Sequence, residues 1–448
     1  MVRLSIRASV RAGMAASAVH WIEAFQHVLE HGDGKAFLPW IAMDPPTYTQ
    51  LQSSLQSMTT TKVGAKLRVP TNLTSQKKRL TSFAQDFLDY VHLYPPPSSP
   101  QIPREAYDAW VKVYASANAV FALPETVWMV PIFKYLAQQL VAMAIRLDQA
   151  DASAAYTKTI DAASRLSKSA GLAANDRTTQ PCRRTKRAAV FTLANVSFRA
   201  YFRLNNTRLC ETVLGSVNNA LLMNRRHDDT DATGEESYTM AERVTYHYYL
   251  GQIRLLQHRV LAAVEHLRWA FDRCTNAHPH NKRKILIPLV AAHLILGRYA
   301  SRSLLTQFQL TEPYGELLRR HRMGHAAGAL ATLEQHREWF RTCGLYMLLR
   351  EKMVLGLWRN LFQRCMRSTQ SATSATQGPP TLSLQTLVRP ARMAWDDPSL
   401  DLADMECMAA NLVDQGLMKA YILHSKGVIV LQRGPHRGFP PMTDVYHS

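Results

Sequence analysis

The sequence predicts a mostly α-helical protein, a superhelical solenoid of paired helices capped by a small C-terminal winged-helix module. Three observations carry that prediction. Apolar residues recur at steps of three and four through most of the 448 residues. Strand-like alternation is nearly absent until the C-terminal end. There, two short runs, Tyr421-Ile422-Leu423 and Val428-Ile429-Val430-Leu431, flank His424-Ser425-Lys426-Gly427, which reads as a hairpin turn.

Taken in order, the first 13 residues read as an extension. They carry Arg3, Arg7 and Arg11, and no acid precedes Glu23, a pattern that weakly resembles a mitochondrial presequence. The alternative is a non-structural tail with Met14 as the true start, because a helical pattern begins just after it and runs to residue 31. Residues 14–240 are read as N-terminal helical repeats, broken by Pro45-Pro46 and by the proline-rich run 94–100, since proline blocks helix continuation. The polar stretch 227–237 reads as an exposed connection.

Residues 241–381 form the next predicted unit. Between Tyr248 and Cys274 the pattern is a helical hairpin, with Leu250-Gly251 in the first helix and small Ala263 and Ala270 in the second, where two helices approach closely. The hairpin is TPR-like but has neither the full tetratricopeptide consensus nor a strict 34-residue period. Val260, Val264, Leu267, Phe271 and Cys274 make one stripe, and Val354, Leu357, Trp358, Leu361, Phe362 and Cys365 make another. Residues 367–381 lack apolar periodicity and read as a flexible linker. The winged helix is placed at 382–442, with helices over 382–393, stopped or kinked by Pro390, and over 401–418.

Composition narrows the function classes. Hydrophobic residues make up 47% and charged residues 19%, enough for a sizeable core. Lys plus Arg total 53 against 34 Asp plus Glu, a formal charge of +19. Such an excess implies an acidic partner: nucleic acid, a membrane surface or an acidic protein. The six cysteines are dispersed and form no CxxC pair, which predicts reduced, mostly buried thiols and neither a zinc site nor a disulfide framework. The longest apolar run, Ile285 to Leu296, is short and holds Pro288 and His293, so no transmembrane span is predicted.

Catalytic motifs were tested and do not assemble. His27-Val28-Leu29-Glu30-His31 matches the H-x-x-E-H of inverted zinc proteases, but it abuts Gly32-Asp33-Gly34, a helix end, which explains polar histidines more simply. His278-Pro279-His280 resembles the H-x-H of metal isopeptidases, and Asp401 and Asp404 supply D-x2-D, yet Met393 stands where a serine is required. His321 and His325, four apart, have no carboxylate partner. Cys343-Gly344 reads as a buried thiol at a tight helix contact. Phosphate loops, dinucleotide fingerprints and nucleophile elbows do not occur, so the chain is read as a non-enzyme with no cofactor and no metal.

Eight segments in order resemble the PCI-domain family: FRAYFRLNNTRLC (198–210), AERVTYHYYLG (241–251), HLRWAFDRC (266–274), NKRKILIPLV (281–290), RTCGLYMLL (341–349), RNLFQRC (359–365), ANLVDQGLMKAYI (410–422) and GFPPM (438–442). The resemblance covers roughly residues 185–442 and is nearest to the branch of the PCI subunit of the TREX-2 mRNA export complex and the signalosome subunit-twelve-like proteins. It implies a scaffold in the nucleus, at the pore, and in the cytoplasm. Its implied partners are a large PCI-containing export scaffold, a small acidic Dss-type protein and RNA or DNA bound without sequence specificity, with no membrane and no small-molecule substrate. The alternative is a signalosome-associated or splicing-linked PCI subunit that binds proteins only.

Four basic clusters are candidates for these contacts. Residues 182–227 hold nine bases and one acid, Glu211. Lys282, Arg283 and Lys284 open a helix, and Arg319, Arg320 and Arg322 precede Gly324. The wing region 415–443 carries Lys419, Lys426, Arg433 and Arg437 and no acid. Lys282, Arg283, Lys284 and the four wing bases are the predicted nucleic-acid contacts. Asp401, Asp404 and Glu406 at the second helix of the module disfavour reading of a duplex major groove, where Arg, Lys, Asn or Gln is needed. Tyr421 beside Lys419 is one aromatic and not a stacking platform. The resemblance places the acidic partner near the end of the solenoid, at Lys352, Arg359 and Arg364.

Overall fold

The structure, a computed structural model, describes residues 17–56, 67–151, 155–227, 233–372 and 379–446. The predicted extension 1–13 lies outside the described residues. Packing divides the chain into two units, residues 1–246 and 247–448, a division that falls inside one helix six residues past the boundary read from the sequence.

The first unit contains α1 (Ala18–His31), α2 (Gly34–Phe37), α3 (Pro45–Gln56), α4 (Lys77–Leu93), α5 (Arg104–Phe121), α6 (Val130–Ala150), α7 (Thr157–Ala174), α8 (Val190–Arg203), α9 (Leu209–His227) and the start of α10 (Met240–Leu256). From α4 to α9 each helix packs on the next, the arrangement of an α-solenoid. Ser17 caps α1 by accepting from the His20 amide at 3.3 Å, and Gly32 ends it in the left-handed region. The α1 stripe buries Trp21 and Phe25 against Phe37, Phe83 and Phe87. The proline-rich loop is held by Arg146, whose guanidinium donates to the carbonyls of Ser98 at 3.1 Å, Ser99 at 2.7 Å and Pro97. One helical stretch, Val127–Ala150, is long and apolar enough to cross a membrane by length and composition alone. Burial accounts for it, since 61% of its apolar window lies inside the protein.

The second unit continues α10 into α11 (Val260–Arg273), α12 (Pro279–Ile295), α13 (Arg302–Gln307), α14 (Thr311–Met323), α15 (Ala326–Gln335), α16 (Arg337–Thr342) and the long α17 (Tyr346–Ala372). The predicted close approach of the first hairpin is present: a Cβ on Gly251 would lie 2.6 Å from Leu267 Cγ and 3.3 Å from the Ala263 carbonyl. A Cβ on Gly344, by contrast, would meet nothing within 4 Å; its φ of +70° makes it a stop signal between α16 and α17, not a close helix contact. Cys343 is only half-buried.

The C-terminal module comprises β1 (Thr381–Ser383), α18 (Leu384–Trp395), α19 (Leu402–Asp414), β2 (Ala420–Leu423), β3 (Val428–Leu431) and α20 (Met442–Val445). Its sheet is antiparallel with order β1-β3-β2. Two corrections concern the predicted linker. Helix α17 runs on to Ala372, and Thr381 opens a third strand, leaving 373–378 outside the described residues. Nor does Pro390 stop α18: Leu387, Ala391 and Ala394 are buried and Trp395 stacks on Trp358 at 4.6 Å, so tertiary packing outweighs one lost helical hydrogen bond. Trp358, Phe362 and Met366 of α17 share one core with Leu387, Met405, Leu412, Ile429 and Met442, so the cap is fused to the helix before it.

Candidate functional site

The structure separates bases that hold the fold from bases that face solvent. In the 182–227 cluster Arg187 is fully buried. It donates to the carbonyls of Asp176 (2.6 Å), Thr178 (2.9 Å) and Gln180 (2.9 Å), and to Asn224 Oδ1 (3.0 Å). Lys186 donates to the Leu123 carbonyl at 2.5 Å, and burial lowers the pKa of its ammonium. In the 319–322 cluster Arg319 and Arg320 both clasp Glu316, and Arg322 lies over the Tyr299 ring.

The predicted contacts at 282–284 need correction for the same reason. Lys282 donates to Asn276 Oδ1 at 2.7 Å and lies over Phe271. Arg283 donates to the Phe308 carbonyl at 2.9 Å, satisfying the end of α13. Both are half-buried in these roles, and Lys284 alone of the three is exposed.

At the wing all four predicted bases, Lys419, Lys426, Arg433 and Arg437, are exposed. Lys419 extends the β2–β3 ladder: its amide donates to the Gly438 carbonyl at 2.7 Å, and its carbonyl accepts from the Gln432 amide at 2.8 Å. Lys426 lies in the short 3-10 turn between the strands, which Gly427 closes at φ +60°. The acids near the module's second helix are occupied structurally. Asp401 and Asp404 form a reciprocal capping box at the start of α19 (3.0 and 2.9 Å), and Glu406 contacts His424 Nδ1 at 2.8 Å. With acids at its start and no base on it, α19 is unsuited to a major groove.

The three predicted partner contacts are divided by α17. Lys352 is half-buried. Arg359 is only 8% exposed and donates to the carbonyls of Pro440 (2.7 Å) and Phe439 (3.3 Å), which corrects its assignment to a partner surface. Burial lowers its pKa. Arg364 is exposed and lines a groove of about 610 Å³ between α17 and α18. Leu361, Pro390, Met393, Arg364 and Arg389 line it, and no acid does. At 3.6 residues per turn, Arg359 and the groove residues Leu361, Arg364 and Cys365 lie on opposite sides of α17.

Known proteins similar to this chain carry the PCI name. A PCI domain-containing protein of Schizosaccharomyces pombe is 35% identical over 257 residues, 57% of this chain and 55% of that protein. PCI domain-containing protein 2 of Danio rerio is 28% identical over 265 residues, 58% of this chain and 59% of that protein. Together with a mostly helical fold ending in a winged helix, these relatives support the resemblance seen in the sequence. Over somewhat more than half its length the chain is similar to PCI-domain proteins. Enhanced ethylene response protein 5 of Arabidopsis thaliana is also similar, 28% identical over 236 residues and 53% of each chain. No family model matches the chain. The chain spans somewhat over half the length of the curated relatives it matches.

Within the second unit, sequence reasoning missed two features. One is the segment after the wing, which returns to the helices: Phe439 and Met442 are buried, and a Cβ on Gly297 would meet Met442 Sδ at 2.8 Å. The other is a buried polar cluster in which the Tyr299 hydroxyl meets His321 Nδ1 at 3.0 Å and Asn360 donates to the His321 carbonyl at 2.9 Å. Asn360 in the midst of the Leu357–Leu361 stripe was the available signal, because a polar residue there needs partners. Among the described residues no group of three or more His, Cys, Asp or Glu is placed to hold a metal; His27 and His31 stack at 4.2 Å.

Proposed function

We propose that this PCI scaffold is a non-catalytic subunit of a TREX-2-like nuclear mRNA export assembly. In this reading its winged module pairs with a second, larger PCI-containing scaffold and presents the wing to RNA or DNA. The groove between α17 and α18 takes the small acidic Dss-type protein, with Arg364 and Arg389 facing its carboxylates. The observation that carries the nucleic-acid part is local: Lys419 and Lys426 are exposed on a stretch, 415–443, that holds no acid, whereas Lys186, Arg187, Lys282 and Arg283 of the helical clusters are held by carbonyls or an amide. Such bases suit phosphate contact, which gives affinity without sequence reading.

The test is binding of short single-stranded RNA to the intact chain across a salt series, alone and with its purified partners. Replacing Lys419, Lys426 and Arg433 together by Glu is expected to abolish most binding; unchanged binding would contradict the wing assignment. Affinity purification then separates the memberships, since pore-linked export factors support this reading and signalosome or splicing subunits support the protein-only alternative.

A further inference from the structure

The geometry points to Tyr421 as a base-stacking residue that makes the wing a reader of single-stranded rather than double-stranded nucleic acid. The inference rests on the reading that the wing meets nucleic acid and adds to it the ligand class and a residue the charge pattern does not reveal.

The sheet dictates where Tyr421 points. Alternation along β2 sends Ala420 and Ile422 into the module core, so Tyr421 projects from the opposite face. There it is 60% exposed, while Tyr107, Tyr114 and Tyr314 are at most 2% exposed. β2 is an edge strand of the three-stranded sheet, paired there with β3, and the residue opposite Tyr421 in register is Val430. Lys419 lies two residues earlier on the same continued ladder and hence on the same face, about 7 Å away along the strand. Lys426 occupies the tip where β2 turns into β3. An exposed ring with one exposed ammonium group beside it on the ladder and another at the hairpin turn is a pattern that holds a base by its face and adjacent phosphates by charge.

A duplex cannot use that ring, because its bases are already stacked and only their edges reach the grooves. The acidic start of α19 further opposes a duplex laid against the module. Asp414 and Asp444 border the hollow beside Lys419, which argues for a contact a few nucleotides long and against a broad phosphate surface.

The experiment measures fluorescence anisotropy of the intact chain with a short oligouridylate and with a duplex of equal length. It compares the wild type with Tyr421→Ala, Tyr421→Phe and the pair Lys419→Glu/Lys426→Glu. The expected result is that Tyr421→Ala weakens single-strand binding about 5- to 150-fold, leaves duplex binding unchanged, and is rescued by Tyr421→Phe. If Tyr421→Ala binds the single strand normally while the lysine pair weakens it, stacking is overturned and the wing reading stands. If the wild type binds neither probe, or the lysine pair changes nothing, the wing reading itself falls and takes this inference with it. If Tyr421→Ala instead loses only the second PCI scaffold, the ring belongs to a protein interface and the inference is overturned.

Discussion

At the scale of single residues, the most consequential side chains in the second unit are the buried polar ones. Arg359 supplies donors to two carbonyls of the returning C-terminal segment. Arg359→Ala is expected to cost about 2–4 kcal/mol, read as faster hydrogen exchange in 438–446; exchange no faster than wild type would refute this role. His321 is buried beside Tyr299 and Asn360, and burial lowers its pKa from 6.5 to about 4. The unfolded chain therefore binds a proton between pH 6.5 and 4 that the folded chain refuses. Stability conferred by neutral His321 is complete above pH 6.5 and is lost as pH falls towards 4, by about 3 kcal/mol at most. His321→Gln is expected to be weaker at pH 7 but flatter through that window in urea midpoints; an unchanged pH slope would remove His321 as its source.

At the scale of elements, close approach and open space make opposite predictions for the same substitution. Gly251→Ala drives a methyl into Leu267 and should cost about 1–3 kcal/mol, whereas Gly215, exposed within α9 with nothing within 4 Å, should gain about 0.5–1 kcal/mol as Ala. Thermal melts of the two variants should move in opposite directions. The α10–α11 hairpin was legible because Gly251, Ala263 and the Val260–Cys274 stripe agree on one packed face. The β2–β3 hairpin was legible because β-branched runs flank a polar turn. β1 was not: three residues are too few for a period, and Thr381–Ser383 is a strand only because β3 offers it a partner. α18, expected over 382–393, lies at 384–395: its end was placed two residues early because Pro390 is a local stop signal that the Trp358–Trp395 stack overrides. The end of α17 was hidden in polar residues whose helical state comes from the preceding turns.

At the scale of the whole molecule, the formal charge of +19 says little about how many phosphates the chain can hold. Charge is counted in sequence, but availability is decided by packing, and here Arg187, Lys186, Lys282, Arg283, Arg319 and Arg320 are committed to carbonyls, an amide and a carboxylate. No spacing rule separates Arg283, which caps α13, from Lys284, which faces solvent. The division between structural and available bases yields a quantity to measure. If the wing provides the contact, about four bases meet phosphate, and the logarithm of the affinity for single strands should fall against the logarithm of salt with a slope of about −3. Lys419→Gln alone should flatten that slope by about 0.7 while leaving the fold intact. A slope more than twice as steep would mean that exposed bases of the helical units, such as Arg183, Arg225 and Lys284, are engaged as well, and that the wing is only one part of a larger surface.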